Sequence, residues 1–262
     1  MAGTAGFAQQ PGYIRYTDSD GLPSMNIYDI LQDDDGYLWL GTENGLCRFN
    51  GREMETYSSP IITDFEVLTI DYSANGRIWF TNFSGQLYFI QHNEIHRFTH
   101  PALDPDRKIT SVSISPQDHL WITVNGGIYE FTHLETGNYQ FEAFYNTGHS
   151  SFHHSNIAFT SDGRAWVPYR INSRILKANC LQDLPEKDTF PELRNFDCWI
   201  DNLGNDEMGV FCAFGAGLVR EGEFFPVFGE LSSFNKIHGV TKVFRDNDHQ
   251  YWVCTHTGTY LF

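Results

Sequence analysis

The chain has 262 residues, of which 16% are aromatic and 23 are glycine, a mixture suited to short strands joined by tight turns. Its 33 Asp and Glu against 17 Lys and Arg leave a formal charge of −16, which repels a nucleic-acid backbone and an anionic membrane surface and argues against either as a partner. No apolar run approaches the ~18 residues that a membrane helix needs, so no direct membrane contact is expected.

At the start, residues 1–12 have two open readings. They are a disordered tail, or the remnant of a secretory signal, because Gly6-Phe7-Ala8 resembles the small-residue end of one while the charged and apolar regions are missing. Tyr13 to Thr17 reads as a lone strand and Asp18 to Ser24 as a loop. Ile27 to Gln32 is then a strand, Asp34-Asp35-Gly36 a turn, and Tyr37 to Thr42 a second strand. Asn44-Gly45 supplies a positive-φ pair for a tight hairpin, Leu46 to Asn50 forms a third strand, and Glu53 to Tyr57 a fourth.

This unit recurs. Trp39, Trp79, Trp121, Trp166, Phe211 and Trp252 head the copies at intervals of 40, 42, 45, 45 and 41 residues, a period that belongs to propellers and solenoids. Gly45, Gly85, Gly127, Gly217 or Gly258 follows six positions later, with Asn172 in the fourth copy. The punctuated runs leave no room for the apolar stripe of a helical repeat. The predicted fold is therefore an all-β propeller of four-stranded antiparallel blades, six blades, or seven if the chain is truncated, forming one domain over residues 13–262.

Ile30, Ile70, Val112, Ile157 and Val243, with Ile200 at a small offset, fall on the innermost strands and are expected to pack between blades with the Trp rings. The last copy stops at its third strand, so Tyr13 to Thr17 is expected to pair beside Tyr260 to Phe262 and clasp the ring shut. Five cysteines, Cys47, Cys180, Cys198, Cys212 and Cys254, read mainly as buried thiols. A disulfide between Cys180 and Cys198, which flank the link between copies four and five, stays open.

The irregularities gather in the fourth copy. They are the link Leu181 to Asn195 and two loops: Asn146 to His154, which leads into an innermost strand, and Tyr169 to Arg174, where a tight turn belongs. In a propeller these two loop classes share the face around the channel mouth, and loops on a rigid scaffold carry binding. His149, His153, His154, Tyr169 and Arg170 are the candidate ligand-binding residues, since imidazole and guanidinium donors beside an aromatic suit a polar, sugar-like ligand. No ligand set for a metal, no cofactor motif and no catalytic residues stand out: His153 and His154 are adjacent, with no Asp, Glu or Cys at a ligand interval, and Asp33 to Gly36 lacks the alternating spacing of a calcium loop.

The stretch from Ile27 to Gly51, with Asp33-Asp34-Asp35-Gly36-Tyr37-Leu38-Trp39-Leu40-Gly41-Thr42-Glu43-Asn44-Gly45-Leu46 at its centre, closely resembles the two-component-regulator propeller repeat. The resemblance is fullest in the first copy and weakest in the fifth, where Phe211 replaces Trp and Met208 stands at the turn Gly. It implies the extracytoplasmic sensor region of a bacterial histidine kinase or hybrid regulator, on the periplasmic or extracellular side. Such a lobe binds a small-molecule or oligosaccharide ligand and signals through downstream domains of the same receptor. The family has no shared catalytic residues and commonly carries seven or fourteen repeats, so six copies depart from it. Two other readings remain: a sialidase-like glycoside hydrolase, which needs two carboxylates ~5–10 Å apart, and a protein-binding platform of the WD-repeat kind.

Overall fold

In the computed structural model, the residues described are 16–132, 137–146, 157–172, 175–181, 198–202, 208–212, 215–220, 223–226, 240–245, 251–255 and 258–261. The chain is an all-β propeller. Its described strands form six antiparallel sheets, one for each copy of the repeat. Blade one contains β1 (Ile27–Gln32), β2 (Leu38–Thr42), β3 (Gly45–Phe49) and β4 (Met54–Tyr57), and blade two β5 (Val67–Tyr72), β6 (Ile78–Asn82), β7 (Leu87–Gln91) and β8 (Glu94–Arg97). Blade three follows with β9 (Ile109–Ile114), β10 (Leu120–Val124), β11 (Gly127–Thr132) and β12 (Gln140–Asn146). Blade four has β13 (Ala158–Phe159), β14 (Ala165–Asn172) and β15 (Ile175–Cys180), blade five β16 (Cys198–Asn202), β17 (Met208–Cys212), β18 (Gly215–Arg220) and β19 (Glu223–Pro226), and blade six β20 (Val240–Arg245), β21 (Tyr251–Thr255) and β22 (Gly258–Leu261).

The first strand of each sheet is the innermost: β1 packs on β5, β5 on β9, β13 on β16 and β16 on β20. Between them lie the aliphatics nine residues before the core Trp. Ile70, Val112 and Ile157 are 5–6% exposed, whereas Ile30 is 45% exposed and departs from the expected packing. Trp39, Trp79 and Trp121 are buried. Two of the three find a local partner for the polar edge: the Nε1 of Trp39 donates to Asp33 at 2.8 Å, and that of Trp79 to Ser73 at 3.3 Å, each partner six residues upstream, whereas the buried Nε1 of Trp121 has none among the described residues. The turn residue Asp33 thus serves the core ring, and its other oxygen accepts from the Tyr37 amide.

Several expectations are corrected. The first hairpin loop is Glu43-Asn44, because Thr42 pairs with Gly45; only Gly45 has positive φ, +125°, and it opens β3 instead of sitting in the turn. Tyr13 to Arg15 lie outside the described residues, and Tyr16 and Thr17 form no strand. Thr17 instead caps a 3-10 helix over Asp18–Asp20, its N–H and Oγ1 both donating to the Asp20 carboxylate at 2.8 and 3.0 Å. Cys180, like Cys47, is buried and in no disulfide, so no staple to Cys198 forms. Met208 lies within β17, paired with Asn202, and not in a turn.

Candidate ligand-binding face

Each first strand runs away from the channel-mouth face and each second strand runs back to it, so the β2–β3 type of hairpin and the segment before each first strand meet there. Of the residues singled out in the sequence, His149, His153 and His154 lie outside the described residues. The backbone of Tyr169 and Arg170 is described, and it belongs to a strand, not a loop. Tyr169 pairs with Lys177 and Arg170 with Leu176, with a bulge before Asn172 meets Ile175. The physical reason is length. β2, β6, β10 and β21 end three residues after their Trp, but β14 runs six residues past Trp166, which raises this hairpin by roughly 10 Å at ~3.4 Å per residue. Blade four therefore stands taller than its neighbours on the mouth face.

Blades one to three add residues there that the sequence reading missed. Tyr28, at the start of β1, donates its hydroxyl to Glu66 Oε1 at 3.1 Å. Phe83, in the β6–β7 turn, donates its amide to the Glu66 carbonyl at 3.0 Å, and the Lys108 ammonium lies 4.2 Å from the centre of its ring. Phe65 precedes Glu66 directly. Tyr28, Phe65 and Phe83 are 40%, 54% and 54% exposed, so three rings face outward beside one carboxylate. Partial burial, and then the hydrogen bond and charge of Glu66, hold the Tyr28 phenol above its usual value. A second carboxylate, Glu43, is held on the same face by Asn26 Nδ2 at 2.8 Å and Ser24 Oγ at 3.2 Å. One signal for this band was legible: Phe83 sits in the tight turn Asn82-Phe83-Ser84-Gly85, where a ring has no core to enter.

Among the described residues, two cavities lie on the far face. One, of about 440 Å³, lies where the first strands of blades two to five end, and its lining includes Tyr72, Ile114, Asp118, Ile157, Phe159 and Asn202. Asp118 occupies the turn position held by Gly36, Gly76 and Gly163 elsewhere, at φ +59°, and its carboxylate accepts from the Ala74 amide at 2.9 Å. Aspartate tolerates this conformation because its short side chain can bond to nearby backbone. The other cavity, of about 380 Å³, lies between blades one and two. Among the described residues, no three His, Cys, Asp or Glu side chains group as metal ligands.

Comparison with known proteins agrees with this architecture. The sequence model of the family "Two component regulator propeller" matches residues 21–44. A 52-residue stretch is 38% identical to histidine kinase P4 of Formosa agariphila, covering 19% of this chain and 4% of the kinase. Among solved structures, the extracellular domain of a putative hybrid two component system from B. thetaiotaomicron superposes with a TM-score of 0.70 at 19% identity, over 95% of this chain and 35% of that one. Virginiamycin B lyase from Staphylococcus aureus superposes with a TM-score of 0.63 at 16% identity, over 90% of this chain and 84% of the lyase. At such identities the likeness is one of fold, and a fold shared by a sensor region and a lyase does not decide chemistry.

Proposed function

We propose that this chain, a β-propeller of the two component regulator type, is the extracytoplasmic sensing lobe of a sensor kinase or hybrid regulator and binds a polar, sugar-like ligand on its channel-mouth face. The observation that carries this reading is the band of outward rings, Tyr28, Phe65 and Phe83, with the carboxylates Glu66 and Glu43 beside them. Exposed aromatic faces present negative quadrupoles to the polarised C–H groups of a sugar, and carboxylates accept from its hydroxyls. The raised β14–β15 hairpin, which bears Tyr169 and Arg170, walls the same face.

Sensing needs only a difference in binding free energy between two states of the receptor, without an acid–base pair or activated nucleophile. The lobe is accordingly a binder that leaves its ligand unchanged. A thermal-shift screen against glycans and small metabolites tests the reading. A hit should stabilise the protein, lose roughly ten-fold in affinity in Phe83→Ala or Glu66→Gln, and return intact by mass spectrometry. A hit insensitive to Phe83, Glu66 and Arg170 substitutions would remove the site from this face. Cleavage in proportion to protein concentration would make the domain a hydrolase.

A further inference from the structure

Two positions of the repeat vary in concert on the far side of the blades. One lies two residues before the core Trp; the other pairs with that Trp across the hairpin. They are Tyr37 and Arg48 in blade one, Arg77 and Phe89 in blade two, and His119 and Glu130 in blade three. Each pair is in contact. The Arg48 guanidinium lies 4.7 Å from the Tyr37 ring centre, that of Arg77 5.1 Å from Phe89, and His119 Nδ1 2.9 Å from Glu130 Oε1. Blades one and two thus hold the same cation–π contact with its halves exchanged between strands.

What covers the pair differs at the next step around the ring. Between blades two and three, Tyr139, from the β11–β12 connection, stands edge-on to Trp79 at 5.7 Å between centroids and to Phe98 at 4.9 Å. Its hydroxyl accepts from Arg77 Nη1 at 2.6 Å. Between blades one and two the matching connection is the two-residue turn His92-Asn93, with φ of +52° and +64°. This short turn brings no phenol inward, and the cavity of about 380 Å³ is walled by Trp39, Tyr37 and Arg48 on one side and by Tyr72, Ile90 and His92 on the other. Tyr57 backs Trp39 there at 5.1 Å, much as Phe98 backs Trp79 at 5.6 Å.

We propose that this cavity binds an uncharged hydroxyaryl ligand in the place that the Tyr139 phenol takes at the next junction. The ligand ring lies against Trp39 and its hydroxyl oxygen accepts from Arg48. Arg48 already donates from Nη2 to Glu55 at 2.7 Å, but a guanidinium carries five N–H donors, so others remain for a ligand. Asp33 and Asp35 line the same cavity; they offer acceptors for the hydroxyl proton and disfavour a carboxylate-bearing ligand. This site lies on the opposite face from the sugar-like site, so each can fail without the other.

The probe is p-cresol, the tyrosine side chain as a free molecule, titrated to roughly 10 mM because ligands of this size bind weakly. Backbone and indole NMR resonances and calorimetric stoichiometry are read. We expect one site that shifts the Trp39 indole and His92, and about ten-fold weaker binding of toluene, which lacks the hydroxyl. Arg48→Met should weaken p-cresol to the level of toluene, and Tyr139→Ala should create a second p-cresol site that shifts the Trp79 indole. Shifts confined to other residues, equal binding of p-cresol and toluene, or no binding at the highest concentration would overturn the proposal. If Arg48→Met does not fold, the ratio of p-cresol to toluene in the unaltered protein decides, and parity overturns it.

Discussion

Blades one and two carry nearly the same motif, yet one shared position has opposite surroundings in the two. Ile70 is 6% exposed, with the backbone of Gly41 and the side chain of Val67 packed close by, whereas Ile30, at the same place in its repeat, is 45% exposed. The repeat determines that an aliphatic faces the neighbouring blade; what stands against it determines how much free energy that contact contributes. At about 25 cal/mol per Å² of apolar surface removed from water, the same side chain contributes much more in blade two.

The largest effect is expected where burial is complete. Trp79 is fully buried and touches Phe89, Phe98 and Tyr139, so Trp79→Ala should cost about 3–5 kcal/mol in chemical denaturation. Next, Ile70→Ala should cost about 2–4 kcal/mol and Ile30→Ala less than about 1 kcal/mol. Equal losses at the two isoleucines would show that Ile30 is packed as tightly as Ile70.

A smaller contrast concerns the turns. Gly36 and Gly85 both have left-handed backbones, with φ of +86° and +78°, but a Cβ at Gly36 meets open space, while one at Gly85 would collide with Lys108 Cγ and lie 3.1 Å from the Ile109 amide. Gly36→Ala should cost about 1 kcal/mol from backbone strain alone, and Gly85→Ala about 2 kcal/mol or more. Thermal denaturation of the two variants checks the order.

The smallest effect is one of pH. Burial pushes the Cys47 thiol up from 9.0 to about 11. A group whose folded value is raised contributes stability that is complete below its unfolded value and is lost as pH climbs through the folded one. Stability should therefore fall between about pH 9 and 11, and by less in Cys47→Ala. At pH 8 native Cys47 should resist thiol reagents that label it in denaturant. Rapid native labelling would show that the site opens.

The period and turn chemistry of the chain made the architecture legible, because Trp39, Asp33 and Gly36 interact within one blade and their spacing is local. Blade four shows the limit. Nothing in Tyr169-Arg170-Ile171-Asn172 signals a strand prolonged past its usual end, since an added bulge and three more residues look like a loop in sequence. The mouth-face band was hidden for another reason. Tyr28 and Glu66 are 38 residues apart and meet only when adjacent blades pack. The plug over Arg77 comes from Tyr139, 62 residues away, and no motif links the two.

Three hydrogen bonds from backbone amides between innermost strands share one direction. The Ile70 amide donates to the Asp29 carboxylate at 2.8 Å, that of Val112 to Thr69 Oγ1 at 3.3 Å, and that of Ile114 to the Asp71 carboxylate at 2.7 Å. In each case the acceptor belongs to the blade made earlier. On a ribosome, where synthesis is slow relative to hairpin closure, the innermost strands of blades two and three emerge after these acceptors have been made. Assembly in the opposite order would leave those amides waiting for these acceptors. These three bonds thus favour assembly of the ring in the order of translation. Shortening it from the carboxyl end leaves these three donors satisfied, while removing blade one strands the Ile70 amide.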